Sequence, residues 1–523
     1  MATASSPTQK GILGWIEKTG NRLPDPVFIF FYLIIALIVI SIIAAVAGYS
    51  AAHPTRIDEA TGAPMMISAI SLLSAENIQR LWVEMPQTFT HFHPLGYVLV
   101  VMLGAGVAER SGLFATAMRA GVRNAPKFLL TPVVALVAMI GNLAADAAYV
   151  VLIPLAAVLF AAAGRHPIAG IAAAFAGVSG GFSANLLPGQ LDALLFGITE
   201  AAAEAIAPSW DANIAGNWYF IAGMTLVFLP VIWFVTDVII ERRLGKYVPE
   251  GSSGKMIETD DKPLTPEQKT GLRHALYATL GVCAAWIVFT VGPGTPLIDE
   301  TARPEARLSP FYKSLVAGFL VLFLAAGWAY GKAAGTIKDH RDVVEMMTGA
   351  MADLAYYLVL AFAAAHFVAM FAWSNLGLIF AVQGADAIES SGFSMPVTLA
   401  MLVFLTGLIN IFVGSASAKW ALLAPVMVPM LMLLGVSPEM TTAAYRVGDS
   451  ATNIITPLMV YFPLILTFCQ RWKPDFGLGS LTAMMLPYSF FLMTTGLAMV
   501  AGWVYLDFPL GPGAVIDYAL PAE

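Results

Sequence analysis

Charged side chains are scarce in this chain of 523 residues. Asp, Glu, Lys and Arg together account for 12% of it, whereas soluble domains carry about 25%. Hydrophobic residues account for 58%, and mean hydropathy is +0.76. Runs of roughly 20 apolar residues recur, each long enough to cross a membrane as a helix. This composition excludes an ordinary soluble protein and predicts a polytopic membrane protein built from helices.

Cysteine, histidine and phosphate-binding motifs are also scarce. The two cysteines, Cys283 and Cys469, lack the spacing of a metal site and argue against a disulfide framework. His91, His93 and His366 show no ligand spacing, and the sequence contains no Walker A motif, which argues against ATP as an energy source. No nucleophile–base pair supports an enzyme. We expect neither a cofactor nor a nucleic-acid partner.

The placement of Lys and Arg orients the membrane spans, because cytoplasmic loops carry an excess of these residues. Lys10, Lys18 and Arg22 place the N-terminus in the cytoplasm, on the same side as the basic loop 241–273. The segment 49–92 and the C-terminal tail are poor in Lys and Arg and are expected in the periplasm. Six of the nine predicted spans lie at about 26–48, 94–109, 167–200, 217–240, 274–292 and 311–330. The seventh ends before residue 384, the eighth lies at about 440–468, and the ninth follows QRWKPD. The first span is too long and too apolar for a signal peptide, so we expect it to be retained.

Two further apolar segments are each divided by a polar tip, and in the first of them the halves are too short to cross a membrane. The first has two halves of about 14 residues around GNLAAD, and both of its ends have cytoplasmic character. The second, at about 396–434, has its tip at GSASAK. A segment that enters and leaves on one side is a re-entrant hairpin, whose polar tip is tolerated where protein or a water-filled cavity covers it.

The chain contains an internal repeat, because a shift of 271 positions overlays parts of two units, residues 128–200 and residues 396–470. The matched pairs include Pro154 with Pro425, Gly164 with Gly435, Pro167 with Pro438, Gly177 with Gly448 and Ser179 with Ser450. Each unit contains one hairpin and one interrupted helix, and the Lys/Arg pattern orients the two units oppositely. Inverted repeats with broken helices are typical of secondary transporters. We therefore predict a single all-α transmembrane domain with nine transmembrane helices, two re-entrant hairpins and two broken helices.

The two predicted breaks, SGGFSANLLPG and GDSATNIITP, concentrate polar side chains within apolar sequence. Glycine permits a helix to unwind and proline removes a hydrogen-bond donor. Freed carbonyls and side-chain oxygens would then face a cavity, and the candidate ion-binding residues are Asn185, Asp449 and Asn453. Arg446 lies three residues before Asp449, so the two could share one helix face as an ion pair. The pair is predicted to belong to the site; a purely structural pair is the alternative.

Other polar residues have two interpretations each. Trp420, three residues after Ser417 at the second tip, is predicted to offer a ligand an aromatic wall, although a membrane-interface tryptophan is the alternative. Asp192 follows the first break and is a candidate for the site, or it faces a water basin. Lys419 could snorkel or pair with an acid. Asp146, at the first tip, is either a site residue or a helix N-cap.

Three stretches resemble one transporter family. GWIEKTGNRLPDP, GFSANLLPGQLDALL and the long run from SAKWALLAP to VYFPLIL are similar to the p-aminobenzoyl-glutamate transporter (AbgT) family, and the similarity covers essentially the whole chain. The resemblance implies a homodimer in the bacterial inner membrane, with nine spans and two hairpins per subunit. It implies import of p-aminobenzoyl-glutamate or export of p-aminobenzoate-like compounds, including sulfonamides. By motif match, the residues implied in transport are Asp192, Ser417, Trp420, Pro438, Arg446, Asp449 and Pro457.

The chemistry of these substrates fits the candidate residues. A p-aminobenzoyl ring could stack on Trp420, and the guanidinium of Arg446 could bind a carboxylate or a sulfonamide through its planar set of donors. The expected function is secondary active efflux of sulfonamide antimetabolites, which confers antibiotic resistance. Import of p-aminobenzoyl-glutamate is the alternative, and an ion channel is the alternative of another class. Coupling to protons and coupling to sodium both stay open.

Overall fold

The computed structural model describes residues 24–57, 64–123, 125–144, 148–245, 247, 263–302, 307–456, 459 and 461–519. This part of the chain is mostly helical, which confirms the predicted class. Within it, eight helices are long and apolar enough to cross a membrane. The count of nine spans stays a prediction, because several predicted spans and hairpin arms consist of shorter helices.

The elements of the first half precede and include the first repeat unit. They are α1 (Pro26–Val46), β1 (Ser50–Ile57), β2 (Pro64–Ser68), α2 (Ala75–Thr90), α3 (His93–Arg110), α4 (Leu113–Arg123), α5 (Leu130–Ile140), α6 (Ile153–Ala162), α7 (Pro167–Phe175), α8 (Gln190–Ala203), α9 (Trp218–Phe234) and α10 (Glu241–Leu244). Short 3₁₀ turns lie at Lys127–Leu129 and Gly141–Ala144, and π-helical turns lie at Ala148–Leu152, Ala176–Gly180 and Val235–Ile240.

The elements of the second half contain the second repeat unit. They are α11 (Pro266–Thr290), α12 (Ser309–Lys313), α13 (Leu315–Ala334), α14 (His340–Asp353), α15 (Ala355–Trp373), α16 (Leu376–Ser391), α17 (Met395–Asn410), α18 (Ala416–Leu433), α19 (Pro438–Asn453), α20 (Phe462–Trp472) and α21 (Leu478–Leu506). A large buried core joins side chains from both repeat units with α9 and α21, including Phe175, Phe228 and Leu492.

The polar segment 49–92, for which the sequence interpretation named no elements, contains an antiparallel two-stranded sheet and the helix α2. Two predicted span boundaries are wrong. The seventh span continues past residue 384 to Ser391 and is interrupted at Asn375, whose φ of 59° lies in the left-handed region that Asn tolerates. The fifth span begins at Pro266 instead of 274, because Thr265 and Gln268 form a capping box there. Residues 246 and 248–262 of the predicted loop 241–273 lie outside the described residues.

Both predicted hairpins are pairs of helices joined at a short tip. The first pairs α5 with the π turn and α6, and Asp146 at its tip lies outside the described residues. The second pairs α17 with α18. Its tip is shifted from GSASAK to residues 411–415, because the Ser415 side chain accepts a hydrogen bond from the Ala418 backbone N–H (3.3 Å) and caps α18. Ser417 and Lys419 consequently lie in the first turn of a helix.

The helix interruptions are confirmed, although the second one starts later than predicted. In the first unit, irregular residues 181–189 separate α7 and its π turn from α8. In the second unit, GDSATN stays helical and α19 ends at Asn453. Threonine hydroxyls also bond to the backbone of this segment, since Thr452 Oγ1 donates to the Gly448 carbonyl (2.8 Å) and Thr456 Oγ1 to the Thr452 carbonyl (2.9 Å).

The equivalent glycines Gly177 and Gly448 are points of close helix approach. A Cβ at Gly177 would lie 2.5 Å from the Cβ of Ala138 on α5, and one at Gly448 would lie 2.3 Å from the Val403 carbonyl oxygen on α17. We expect Gly177→Ala and Gly448→Ala each to lower the free energy of unfolding by about 1–3 kcal/mol through overpacking. Thermal unfolding in detergent measures this.

Gly502→Ala on α21 is the matched control, because a Cβ there would meet nothing within 4 Å. Its expected effect is neutral, or stabilising by about 0.5–1 kcal/mol, since alanine favours a helix interior. Equal melting temperatures for all three variants would contradict the close packing.

Different contacts stabilise the connection between hairpin and broken helix in the two units. In the first unit, Arg165 donates from Nε to Glu241 Oε1 (2.8 Å) and from Nη2 to Asp237 Oδ1 (2.5 Å). In the second unit, a C-terminal strap (residues 510–518) takes this role. The Ser437 N–H donates to the Ile516 carbonyl, and the Tyr518 N–H donates to the Gly435 carbonyl, both at 2.8 Å.

Candidate functional site

The helix α19 carries charged residues through the interior. Every residue from Pro438 to Asn453 is buried, and Arg446 and Asp449 are each only 1% exposed. A charge this deeply buried requires a partner and hydrogen bonds, because desolvation is otherwise too costly. Each of the two charges has its own partner, and the two partners lie on different helices.

Arg446 pairs with Asp192 on α8. Its Nη2 donates to Asp192 Oδ1 at 2.7 Å, and both side chains are buried. The guanidinium carbon also lies 5.9 Å from the centroid of the Phe196 ring. The predicted ion pair between Arg446 and Asp449 is therefore wrong. The arginine extends across to the broken helix of the first unit, so this pair joins the two units.

Neighbouring groups fix the geometry of this pair. Asp192 lies in the first turn of α8, and its Oδ2 accepts a hydrogen bond from the Gly189 N–H (2.7 Å). Asn217 accepts from Arg446 Nε (3.1 Å) and donates from Nδ2 to the Glu439 carbonyl (2.9 Å). The sequence interpretation missed Asn217. The signal available in the sequence was an amide side chain directly before the long apolar helix α9.

Asp449 pairs with Lys419 on α18. The Lys419 Nζ donates to Asp449 Oδ1 at 2.5 Å and also to Asn410 Oδ1. Lys419 is fully buried. Of the two interpretations of this lysine, pairing with an acid is confirmed. Asn410, at the end of α17, is a further residue that the sequence interpretation missed.

Asn410 connects the pair to the end of α19. Its Nδ2 donates to the Asp449 carbonyl (2.9 Å), Thr452 Oγ1 (2.8 Å) and Asn453 Oδ1 (2.8 Å). The Asn453 Nδ2 in turn donates to Asp449 Oδ2 (3.3 Å). Asp449 and Asn453 are thus adjacent, as the predicted ion site requires. The position beside the carboxylate is taken by the lysine ammonium.

Asn185, the third predicted ion-binding residue, contacts other groups on the first break. Its Nδ2 donates to the Met139 carbonyl (3.4 Å), and its Oδ1 accepts from the Leu187 N–H (3.4 Å). The first break nevertheless contacts α19, because the Ser183 N–H donates to Ser450 Oγ (3.1 Å).

Trp420 is packed inside the protein and presents no open aromatic wall in this structure. Its exposed fraction is 0%, and its ring centroid lies 4.4 Å from that of Tyr445 on α19. The indole Nε1 donates to Thr199 Oγ1 (2.9 Å), and Thr199 and Thr442 share a further hydrogen bond (2.9 Å). Trp420 therefore helps to join α18 to α8 and α19.

The remaining predicted residues lie at helix starts or outside the described part. Ser417 is 3.2 Å from Ser415 through their hydroxyl oxygens. Pro438 is the first residue of α19, where proline fits without losing a helical hydrogen bond, and the Ser437 side chain caps the helix. Pro457 lies outside the described residues.

The sequence matches the AbgT putative transporter family over residues 11–518. The chain belongs to this family. It is 38% identical over 514 residues to the p-aminobenzoyl-glutamate transport protein of Escherichia coli (strain K12), and the alignment covers 98% of each chain.

Two solved structures share the fold of this AbgT-family chain. The YdaH transporter of Alcanivorax borkumensis is 40% identical, with a TM-score of 0.85, and covers 94% of this chain and 100% of its own. MtrF of Neisseria gonorrhoeae, described with a class of antimetabolite efflux pumps, is 40% identical, with a TM-score of 0.88, and covers 96% of this chain and 100% of its own. The chain is a multi-pass membrane transporter of the AbgT family, as the resemblance implied.

In this AbgT-family chain four buried charged residues form two separate ion pairs. Asp192 with Arg446 joins the broken helices of the two repeat units, whereas Lys419 with Asp449 lies within the second unit. The arginine offers a planar set of donors to an anion, and the aspartate is an internal anion that a ligand could replace. The lysine ammonium lies against oxygen atoms of Asp449 and Asn410.

Proposed function

We propose that this protein is a secondary active transporter that exports p-aminobenzoyl-type antimetabolites, including sulfonamides, from bacteria. It works as a homodimer in the lipid of the inner membrane and uses a proton or sodium gradient. The observation that carries the proposal is the buried contact of Arg446 with Asp192, which lies between the broken helices of two repeat units. Broken helices that meet at a repeat interface are where secondary transporters bind substrates.

The substrate anion takes the place of Asp192 on Arg446 in this proposal. A carboxylate or deprotonated sulfonamide can accept the Nη2 hydrogen bond that Asp192 Oδ1 accepts at 2.7 Å. Exchange of one anion for another keeps the guanidinium paired, and the released Asp192 carboxylate must then reach water or gain a proton, because an unpaired buried carboxylate is unstable. Release of Asp192 removes one of the contacts between α8 and α19 and so links substrate binding to a change of shape, while the hydrogen bond of Thr199 with Thr442 remains.

Export is supported by 40% identity to MtrF, which is described with antimetabolite efflux pumps. Import of p-aminobenzoyl-glutamate is the second candidate, because the E. coli relative is named as a transport protein for that compound. Both directions use the same anion exchange at Arg446.

Flux measurements in membrane vesicles of both orientations test the function. Radiolabelled sulfamethazine and p-aminobenzoyl-glutamate are supplied under an imposed proton or sodium gradient. Saturable, gradient-dependent accumulation of sulfamethazine in inside-out vesicles is the expected result. Accumulation of p-aminobenzoyl-glutamate only in right-side-out vesicles would favour import, and non-saturable flux down a gradient would favour a channel.

The inverted arrangement predicts opposite exposure of two marker positions. Ala162 at the end of α6 and Ser390 near the end of α16 are both exposed. With Cys283 and Cys469 replaced by Ser, we expect Ala162→Cys to react only from the cytoplasm and Ser390→Cys only from the periplasm. A membrane-impermeant maleimide on intact and permeabilised cells measures this, and labelling of both positions from one face would contradict the topology.

A further inference from the structure

The Lys419–Asp449 pair is a feature that the proposed substrate exchange does not use. Lys419 is fully buried, and its Nζ is bonded to one carboxylate oxygen and one amide oxygen, Asp449 Oδ1 and Asn410 Oδ1. These are the oxygen donors that a coupling cation also binds. We propose that Lys419 is a tethered cation that occupies this position in the absence of the coupling cation, and that transport exchanges one for the other.

The surroundings of Asp449 make a one-for-one exchange necessary. Charged and titratable groups near Asp449 are Lys419 from α18 and, on its own helix, Tyr445, beside which Arg446 also lies. Arg446 is engaged by Asp192, and the Tyr445 hydroxyl donates to the Ala416 carbonyl at 2.6 Å.

Of the other helices packed against α19, α8 brings the carboxylate of Asp192, which is engaged by Arg446. The helix α17 brings the amide of Asn410. The hydroxyl of Tyr488 on α21 is hydrogen-bonded to Thr236 at 2.7 Å. When Lys419 leaves, the carboxylate must therefore gain a metal cation or a proton, and the lysine ammonium must reach water or give up a proton, because unpaired buried charges are unstable.

The exchange is confined to the second repeat unit. The 271-residue shift places Asn410 on Met139, Lys419 on Ala148 and Asp449 on Val178, so all three positions are apolar in the first unit. The three residues belong to α17, α18 and α19, that is, to both arms of the second hairpin and to the broken helix beside it. Loss of the pair therefore releases that hairpin alone, while the first hairpin keeps its packing.

This inference rests on the proposed function for its transport consequence, but its central claim is tested without substrate. The test compares the thermal unfolding midpoints of the purified wild type and of Lys419→Met. NaCl is varied against choline chloride at constant ionic strength, at mildly acidic and mildly alkaline pH. Lys313→Met is the matched control, because Lys313 also pairs with an aspartate, Asp211 at 2.7 Å, but on the exposed surface.

The expected result is a new cation dependence in Lys419→Met. Sodium should stabilise this variant at concentrations about tenfold or more below those that act on the wild type, by mass action on a vacated site. If the proton is the exchanging cation, the variant should instead lose stability on going from acidic to alkaline pH. Lys313→Met should behave as the wild type in both series.

The double variant Lys419→Met with Asp449→Asn keeps the test decisive if the single variant fails to fold. It removes both charges, so it should fold and show neither sodium nor pH dependence beyond that of the wild type. Unchanged sodium and pH dependence in Lys419→Met, or identical cation dependence in the single and double variants, would overturn the proposal.

In vesicles, Lys419→Met should lower gradient-driven accumulation by about tenfold or more, because the exchange that links cation to hairpin is lost. Absence of all transport in the wild type would contradict the proposed function and leave the stability result to decide the role of Lys419.

Discussion

Replacing Arg446 with alanine is expected to lower the free energy of unfolding by about 3–5 kcal/mol, because Asp192 is left buried without its cation. The same variant should lose substrate transport, since the anion-binding guanidinium is removed. Thermal unfolding in detergent measures the first effect, and sulfonamide flux in vesicles measures the second. Arg446→Lys should keep part of the stability but not the hydrogen bond from Nε to Asn217.

Second substitutions distinguish the true partner of Arg446. Asp192→Asn in the Arg446→Ala background removes the stranded carboxylate, so stability should return while transport stays lost. Asp449→Asn in that background should give no rescue, because Asp449 is already paired with Lys419. If Asp449→Asn restored the stability of Arg446→Ala and Asp192→Asn did not, the ion pairs described above would be wrong. Full transport by the variant that combines Arg446→Ala with Asp192→Asn would show that Arg446 is only a structural counter-ion.

Trp420→Ala is expected to destabilise the protein by about 3–5 kcal/mol, the usual cost of deleting a large buried aromatic side chain. The ring is fully buried against Tyr445, and its Nε1 donates to Thr199 Oγ1 at 2.9 Å. Trp420→Phe should recover most of the packing and lose the hydrogen bond. Thermal unfolding and expression level of the purified variants measure both effects.

Trp82→Ala is the matched control, because Trp82 is 75% exposed. Its free energy of unfolding should differ from that of the wild type by no more than about 0.5 kcal/mol, as is usual for surface substitutions. Trp420→Ala could instead unfold at the same temperature as the wild type but transport poorly. In that case the prediction of a ligand-facing aromatic wall is correct, and the ring reaches the substrate in another conformation.

The architecture was predictable because its signals are local or periodic. Apolar length identifies membrane helices, and the spacing of Pro154 with Pro425 and of Gly177 with Gly448 reveals the repeat without knowledge of any contact. The element types of both hairpins and the interruption of both broken helices follow from these signals. The two-stranded sheet between α1 and α2 does not follow from them, because its strands are short and lie in a polar segment with no clear alternation of polar and apolar residues.

The pairing within the site was less accessible from sequence. Spacing of three places Arg446 and Asp449 near one helix face, but the partner of each depends on which neighbouring helix approaches it. Asp192 is separated from Arg446 by 254 residues, so only the packing of α8 on α19 brings them together. Likewise, Gly448 suggests a break in sequence, whereas the structure uses it for close contact with α17.

The C-terminal strap has a consequence for how the protein is made. It supplies carbonyls to Ser437 and Phe220, and it receives a hydrogen bond from Asn213 at Pro512 (2.7 Å). All of these partners emerge from the ribosome before the strap does. The start of α19 and the loop before α9 therefore enter the membrane without their final partners, which are supplied only when the strap that follows α21 has been synthesised. A chain shortened at residue 509 should be inserted yet stay susceptible to the proteases that survey membrane-protein biogenesis.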